Sequence, residues 1–346
     1  MTRSSYAKAG VDINTVKKIQ ATLAGTLGST FRFRSGRGAP LIPIGHYAGL
    51  VDLGGDSALA LHTDGVGSKV LVAQRLRKFD TVGIDCVAMT VNDLVCLGAE
   101  PVALLDYIAL ERENEPLVAD LTRGLVEGAR LSSAPIVGGE TAVLGDVIKG
   151  YGGNGFDLVS MGAGLVDKRD LVDGSRISKG DLVLGLESSG LHSNGFTLAR
   201  RILGKVPLGS SPEGLGTSVG EALLEPTRIY VKPVLAAAKG GDIHGIAHVT
   251  GGAFTKLGRL VGNGRLGFDL RMPPPPPIFG LLQKLGRVSA KEMYSTFNMG
   301  VGMCLVLPPG EEQRAARRLR RGGLAVHEIG RVRSASGVSV NGLRVS

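Results

Sequence analysis

Nothing in this 346-residue chain approaches the ~20 uninterrupted apolar residues that a bilayer-spanning helix needs, so no membrane span is expected. The first residues, with Lys8, Asp12, Lys17 and Lys18, lack the apolar centre of a signal peptide. Cysteine is scarce. Cys86, Cys96 and Cys304 stand at neither metal-ligand nor disulfide-framework spacing, which predicts reduced, packed residues in a cytoplasmic protein. Aromatic residues make up only 4% of the chain and form no stacking motif. The formal net charge of +9 therefore suits anionic small substrates better than nucleic acid. The phosphate-loop spacing G-x-x-x-x-G-K-[ST] is missing as well.

Glycine is plentiful instead. Many of its 53 residues fall in pairs or in G-x-G spacing, the mark of loops that approach a ligand closely. With 43% hydrophobic and 21% charged residues, the chain is a folded globular protein, long enough for two domains. Strand-like runs at Ala58–Leu61, Val102–Ala109, Pro135–Val137 and Leu158–Leu165 alternate with helical spacing over 82–97 and at Leu117, Leu121, Leu125 and Ala129. This predicts an α/β or α+β fold. A polar stretch from Lys168 to Asp181 precedes a new strand at Leu182–Leu186, which places a boundary near residue 171, between domains 1–171 and 172–346. Pro273–Pro277 should form a stiff polyproline segment at the surface. Arg314, Arg317, Arg318, Arg320 and Arg321 read as the solvated face of one helix opened by Glu311 and Glu312.

Four segments carry chemistry. Asp64-Gly65-Val66-Gly67-Ser68-Lys69 packs a carboxylate, two glycines, a hydroxyl and a lysine behind a strand. That is an inventory for a metal-bound phosphate held by carboxylates rather than by a P-loop. On the helix over 82–97, Asp85, Met89, Asn92 and Asp93 share a sector of about 100°, and acids on so apolar a helix need a partner or a metal. Gly138-Gly139-Glu140-Thr141 ends a strand, where two glycines let a ligand come close and Glu140 adds a further acid, although an ordinary tight turn explains the glycines as well. Ser189-Gly190-Leu191-His192-Ser193-Asn194-Gly195 joins a strand to a helix N-terminus near 196, a place that suits an anion. Thr250-Gly251-Gly252 offers another backbone contact for phosphate, whereas His244 and His248 lack the partners of a zinc site.

In this order the motifs resemble the ATP-dependent superfamily of purine-synthesis and selenophosphate-type enzymes. Ala9–Asp12, Pro226–Lys232 and Met293–Met303 narrow the resemblance to the phosphoribosylformylglycinamidine cyclo-ligase (AIR synthase) family over nearly the whole chain. A selenophosphate synthetase should carry a reactive cysteine or selenocysteine near its start, and none precedes Cys86. The Met293–Met303 segment also argues against a thiamine-monophosphate kinase. The chain departs from the family pattern at Gly54–Ala58, at Ala253 in place of a third glycine, and near Ala24, where some members carry a lysine.

The resemblance implies ATP-driven closure of formylglycinamidine ribonucleotide to aminoimidazole ribonucleotide, through an iminophosphate. It implies Mg²⁺ on Asp64 and Asp93 with Glu140 as a third ligand. ATP and its phosphates fall to Asp64, Gly65, Gly67, Ser68, Lys69, Asn92, Gly138, Gly139 and Thr141. Substrate contacts fall to Ser189, Gly190, His192, Ser193, Asn194, Thr250, Gly251 and Gly252, with His192 and Lys69 as the catalytic pair. It also implies a homodimer in which the N-terminal sheet pairs with its copy to form a barrel, and a C-terminal α/β sandwich domain.

Overall fold

Two mixed β-sheets organise the chain, a computed structural model that describes residues 13–239, 242–262 and 264–346. The Ala9–Asp12 segment lies outside the described residues. The first sheet contains β1 (Gly49–Gly54), β2 (Ser57–Gly65), β3 (Glu100–Leu110), β4 (Ile136–Val143) and β5 (Phe156–Asp167), in the order β1-β2-β5-β3-β4. Only the β3–β4 pair is parallel. The second sheet starts with β6 (Leu182–Glu187). It continues with β7 (Gly245–His248), β8 (Gly267–Leu270), β9 (Val301–Leu307), β10 (Val326–Arg333), β11 (Gly337–Val340) and β12 (Leu343–Arg344), in the order β12-β11-β8-β10-β6-β9-β7.

After the N-terminal helix α1 (Ile13–Gly28), the helices of the first domain are α2 (Val70–Leu76), α3 (Asp80–Val95) and α4 (Glu115–Ser132). The second domain adds α5 (Phe196–Ile202), α6 (Val219–Leu224), α7 (Val231–Ala238), α8 (Pro277–Gly286), α9 (Ala290–Thr296) and α10 (Glu312–Arg321). The apolar spacing of α4 puts Leu117, Leu121 and Leu125 in the core. Asn114 caps its start by accepting from the Leu117 N–H at 3.2 Å. Helix α3 is buried along almost its whole length. It is covered by the first sheet on one side, where Gly162 leaves room for Thr90 and Leu94, and by α4 on another. Glycine makes that second contact possible, since a Cβ on Gly124 would sit 1.8 Å from the Asp80 carbonyl oxygen.

Gly138–Thr141 is not a turn: the strand that contains it runs on to Val143. The difference has a physical cause. Two glycines disfavour a strand locally, but pairing with Leu105–Ile108 of β3 overrides that preference. Of the proline run, Pro276 has extended backbone and Pro277 opens α8. All three cysteines are free and buried, and burial pushes the Cys86 and Cys304 thiols up to about 12. No helix among the described residues is long and apolar enough to cross a membrane.

A side chain at position 124 must therefore push α3 and α4 apart. Gly124→Ala should destabilise the protein by about 1–3 kcal/mol, read as a lowered urea midpoint with an unchanged slope; an unchanged midpoint would show that the helices can slide.

Candidate functional site

Side chains two apart on a strand share a face. His62 and Asp64 of β2 accordingly both point at α3, where Asp93 meets them. The three ligand atoms lie within 4.8 Å of one another, with His62 Nε2 3.4 Å from Asp93 Oδ2 and 4.0 Å from Asp64 Oδ2. The other Asp93 oxygen is 2.7 Å from His248 Nδ1, at the end of β7 in the second domain. Burial alone would raise the Asp93 pKa. The His248 hydrogen bond and the charges of His248, His62 and Lys256 outweigh it and hold the carboxyl below its ordinary value. The result is a buried, ionised acid shared between the domains.

Glu140 does not join it. Along the paired strands Asp64, Ser160, Asp106 and Gly139 form one row on the α3 side of the sheet. Glu140 pairs with Tyr107 in the next row and so faces the opposite side, where its carboxylate accepts from the Thr141 N–H at 2.9 Å. The third member of the cluster is His62. Its signal was present in the sequence as the i−2 neighbour of Asp64.

Lys69 is also placed differently from the expectation. It is fully buried, its ammonium 2.7 Å from Asp85 Oδ2. It also donates to the carbonyls of Glu225 at 2.7 Å and His192 at 3.2 Å. Asp85 in turn accepts from the Thr227 N–H at 2.8 Å and the Thr227 hydroxyl at 2.6 Å. Farther along the same helix, Asn92 donates to the Arg228 carbonyl at 2.8 Å and accepts from the Tyr230 N–H at 2.9 Å. The polar sector of α3 thus divides its work. Asp85 and Asn92 clamp the 225–230 strap of the second domain, and Asp93 serves the acidic cluster.

The expected substrate loop lies against this clamp. Ser193 Oγ is 3.2 Å from Thr227 Oγ1, and Ser189 donates to the Pro226 carbonyl at 2.5 Å. His192 is buried, and its Nε2 accepts from the Ser189 N–H at 3.3 Å. Burial first, then the charges of His248, Lys69 and Arg228, holds its pKa well below the ordinary value, so the imidazole is neutral and suits bracing the loop. The Met293–Met303 segment supplies the loop's scaffold. Asn298 Nδ2 donates to the Gly190 carbonyl at 2.8 Å. At Gly302 a Cβ would lie 2.4 Å from His192 Cε1, and at Gly195 one would lie 2.4 Å from the Phe297 ring. Ser68 reaches the same region through Thr197, 3.3 Å away.

Thr250–Gly252 meets the loop at Asn194, whose Oδ1 would lie 3.0 Å from a Cβ on Gly251. Two residues that sequence reasoning missed follow it, Lys256 and Arg259 on the 3₁₀ turn Ala253–Leu260. The Lys256 ammonium bonds the Thr250 hydroxyl and sits 5.9 Å from the centre of the Tyr47 ring, with Arg259 at 5.6 Å from the same ring. Burial lowers the Lys256 pKa, against the opposing charges of Asp93 and Asp64. Among the described residues it has no carboxylate within ion-pair distance. It is a half-buried cation beside the acidic cluster with no salt bridge of its own.

Removing one member of a buried ion pair leaves the other uncompensated. Lys69→Met should therefore cost about 3–5 kcal/mol of stability, measured by chemical unfolding at neutral pH. A loss below about 1 kcal/mol would mean that water reaches Asp85.

Both halves of the chain have known relatives. Residues 45–166 match the AIR synthase related protein, N-terminal domain, and residues 178–342 match the AIR synthase related protein, C-terminal domain. The phosphoribosylformylglycinamidine cyclo-ligase of Thermococcus kodakarensis is 47% identical over 97% of each chain. That of Methanosarcina acetivorans is 47% identical over 90% of this chain and 91% of its own. Among solved structures, the tt0281 protein of Thermus thermophilus shares the fold with a TM-score of 0.67 at 23% identity, covering 95% of this chain and 97% of that one. AaThiL, solved with AMPPCP and TMP, has a TM-score of 0.63 at 20% identity, covering 88% and 89%. The chain belongs to the AIR synthase family, among the phosphoribosylformylglycinamidine cyclo-ligases.

Proposed function

We propose that the chain converts formylglycinamidine ribonucleotide to 5-aminoimidazole ribonucleotide, with ATP going to ADP and phosphate. The observation that carries this reading is the convergence of Asp64 and Asp93 with the Ser189–Gly195 and Thr250–Gly252 loops. It occurs in a chain 47% identical to a named cyclo-ligase over 97% of its length. Solved proteins of the same fold hold ADP in one case and AMPPCP in another, which supports ATP as the phosphoryl donor.

The amide oxygen attacks the γ-phosphorus, and ADP leaves. The amidine nitrogen then attacks the activated carbon, the C–O bond breaks, and phosphate carries the oxygen away as the ring nitrogen loses a proton. Such a transfer needs positioning and charge neutralisation more than covalent help, and the two reacting centres already share one molecule. Asp64 and Asp93 would hold Mg²⁺. Two converging carboxylates, one of them kept ionised by His248, fit an ion that takes a few acid oxygens and leaves its other positions to water and phosphate. That ion supplies charge neutralisation at the phosphates. Lys256, rather than the buried Lys69, would face the transferred group. Ser193, Asn194 and the backbone from Gly190 to His192 would line the ribonucleotide.

Beyond the single chain, we read the open face of the first sheet as a homodimer surface. Leu59, Leu61, Leu105, Tyr107, Met161 and Leu165 share that face, and the last four are each more than a third exposed. So large an apolar patch marks an interaction surface. Three free, buried thiols suit a cytoplasmic setting.

The purified protein, given formylglycinamidine ribonucleotide, Mg²⁺ and ATP, should form the aminoimidazole product and ADP in equal amounts. Formation of ADP only with a different acceptor would assign it sister-enzyme chemistry. Lys256→Ala should cost about 10–100-fold in kcat/KM for ATP, the worth of one charge-assisted hydrogen bond, with Lys256→Arg recovering part of it; an unaffected Lys256→Ala enzyme would return the phosphate role to another cation. Light scattering should find the wild-type protein dimeric and Met161→Lys monomeric, and a dimer that survives this change uses some other face.

A further inference from the structure

The arginine run at 314–321 lies outside the residues assigned to the reaction. Its helix, α10, buries Ala315, Ala316 and Leu319. It lies against α7, so closely that a Cβ on Gly322 would stand 2.5 Å from Pro233 Cβ. That contact brings Arg318 and Arg321 alongside Lys232 and Lys239, and with Arg228 they border a cleft of about 1090 Å³. The apolar lining comes from both domains: Ile84 and Leu131 from the first, Pro226, Ile229, Pro233 and Leu324 from the second.

The charge there is one-sided. Among the described residues Glu225 is the single carboxylate in the lining. Arg228 is paired with Glu187 at 3.0 Å, and Arg318 donates to the Lys239 carbonyl at 2.6 Å. Lys232, Lys239 and Arg321 have no carboxylate within ion-pair distance among the described residues. The cleft touches the 189–195 loop only at Ser189, and it lies away from the acidic cluster. Ile84 and Asp93 are nine residues apart on α3, about 180° around the helix, so the two sites open on opposite sides of it.

Cations along one border and an apolar floor suit a ligand with an anionic end and a ring. At about 1090 Å³ the cleft lies at the upper end of small-molecule sites, which run to about 1,000 Å³. We propose that this cleft binds a small phosphate ester carrying a planar or apolar ring. The phosphate lies toward Lys239, Arg321 and Lys232, and the ring on Pro226, Ile229 and Leu324. The wall at Glu225 and Thr227 is the other side of the strap that holds Lys69 and Asp85.

The test is calorimetric titration of the full chain, saturated with AMPPCP, Mg²⁺ and formylglycinamidine ribonucleotide to fill the reaction site, with AMP and with 1-naphthyl phosphate. At least one ester should bind one to one, and adenosine and naphthol should not compete. The Lys239→Glu, Arg321→Glu double variant should weaken that binding at least tenfold while leaving turnover without ester unchanged. Lys239→Gln, Arg321→Gln, which avoids introducing acids, should show a smaller loss. Failure of both esters to bind the analogue-saturated protein would overturn the proposal. Equal affinity in the charge-reversed variant, or binding of a poly-glutamate peptide in place of the esters, would do so as well.

Discussion

The buried Lys69–Asp85 ion pair is the constraint from which the rest of the site follows. Two opposite charges removed from water gain from each other only if their remaining donors and acceptors are also satisfied. Here they are: Lys69 takes two carbonyls, and Asp85 takes an N–H and a hydroxyl. Each of those partners belongs to the second domain. Satisfying the pair therefore docks the strap at 225–230 and the loop at 188–195 onto helices of the first domain, and it sets where His192, Ser193 and Asn194 stand.

Asp93 shows the same logic one step further out. Its ionised state is not a property of its own domain alone, because the histidine that hydrogen-bonds to it enters from β7 of the other sheet. Lys256 and Thr250 come from that side too. The acidic cluster acquires its electrostatic character only when the two domains are together. A separated first domain would hold an acid with a depleted set of partners in an apolar setting, where protonation is the easier state.

Much of this was legible in the residues. The i+4 leucines of α4 and the apolar runs within β2 and β5 declared their elements, and Asp64, Asp93 and the 189–195 loop could be singled out by type and spacing. What escaped reading depends on distant parts of the chain. A lysine after glycines and a hydroxyl looks like a phosphate ligand, and nothing local says that an aspartate 16 positions on will enclose it. Glu140 was misplaced because two glycines suggested a turn, while strand pairing carried β4 onward and reversed its face. Lys256 carried no local signal, since its meaning comes from Asp64 and Asp93, more than 150 residues earlier in the chain.

The register of β2 against β5 has a consequence for how this family can vary. Along β2, His62 and Asp64 face α3, while Leu59 and Leu61 face the open side. A strand has a side-chain period of two, so a slip of one residue exchanges the two sets. His62 and Asp64 would leave the cluster as the leucines came under the helix, and the apolar face would lose its pattern in the same event. A single inserted or deleted residue within β2 thus removes chemistry and assembly surface together. Length changes should be found at the β1–β2 turn around Gly54–Asp56, where they disturb neither.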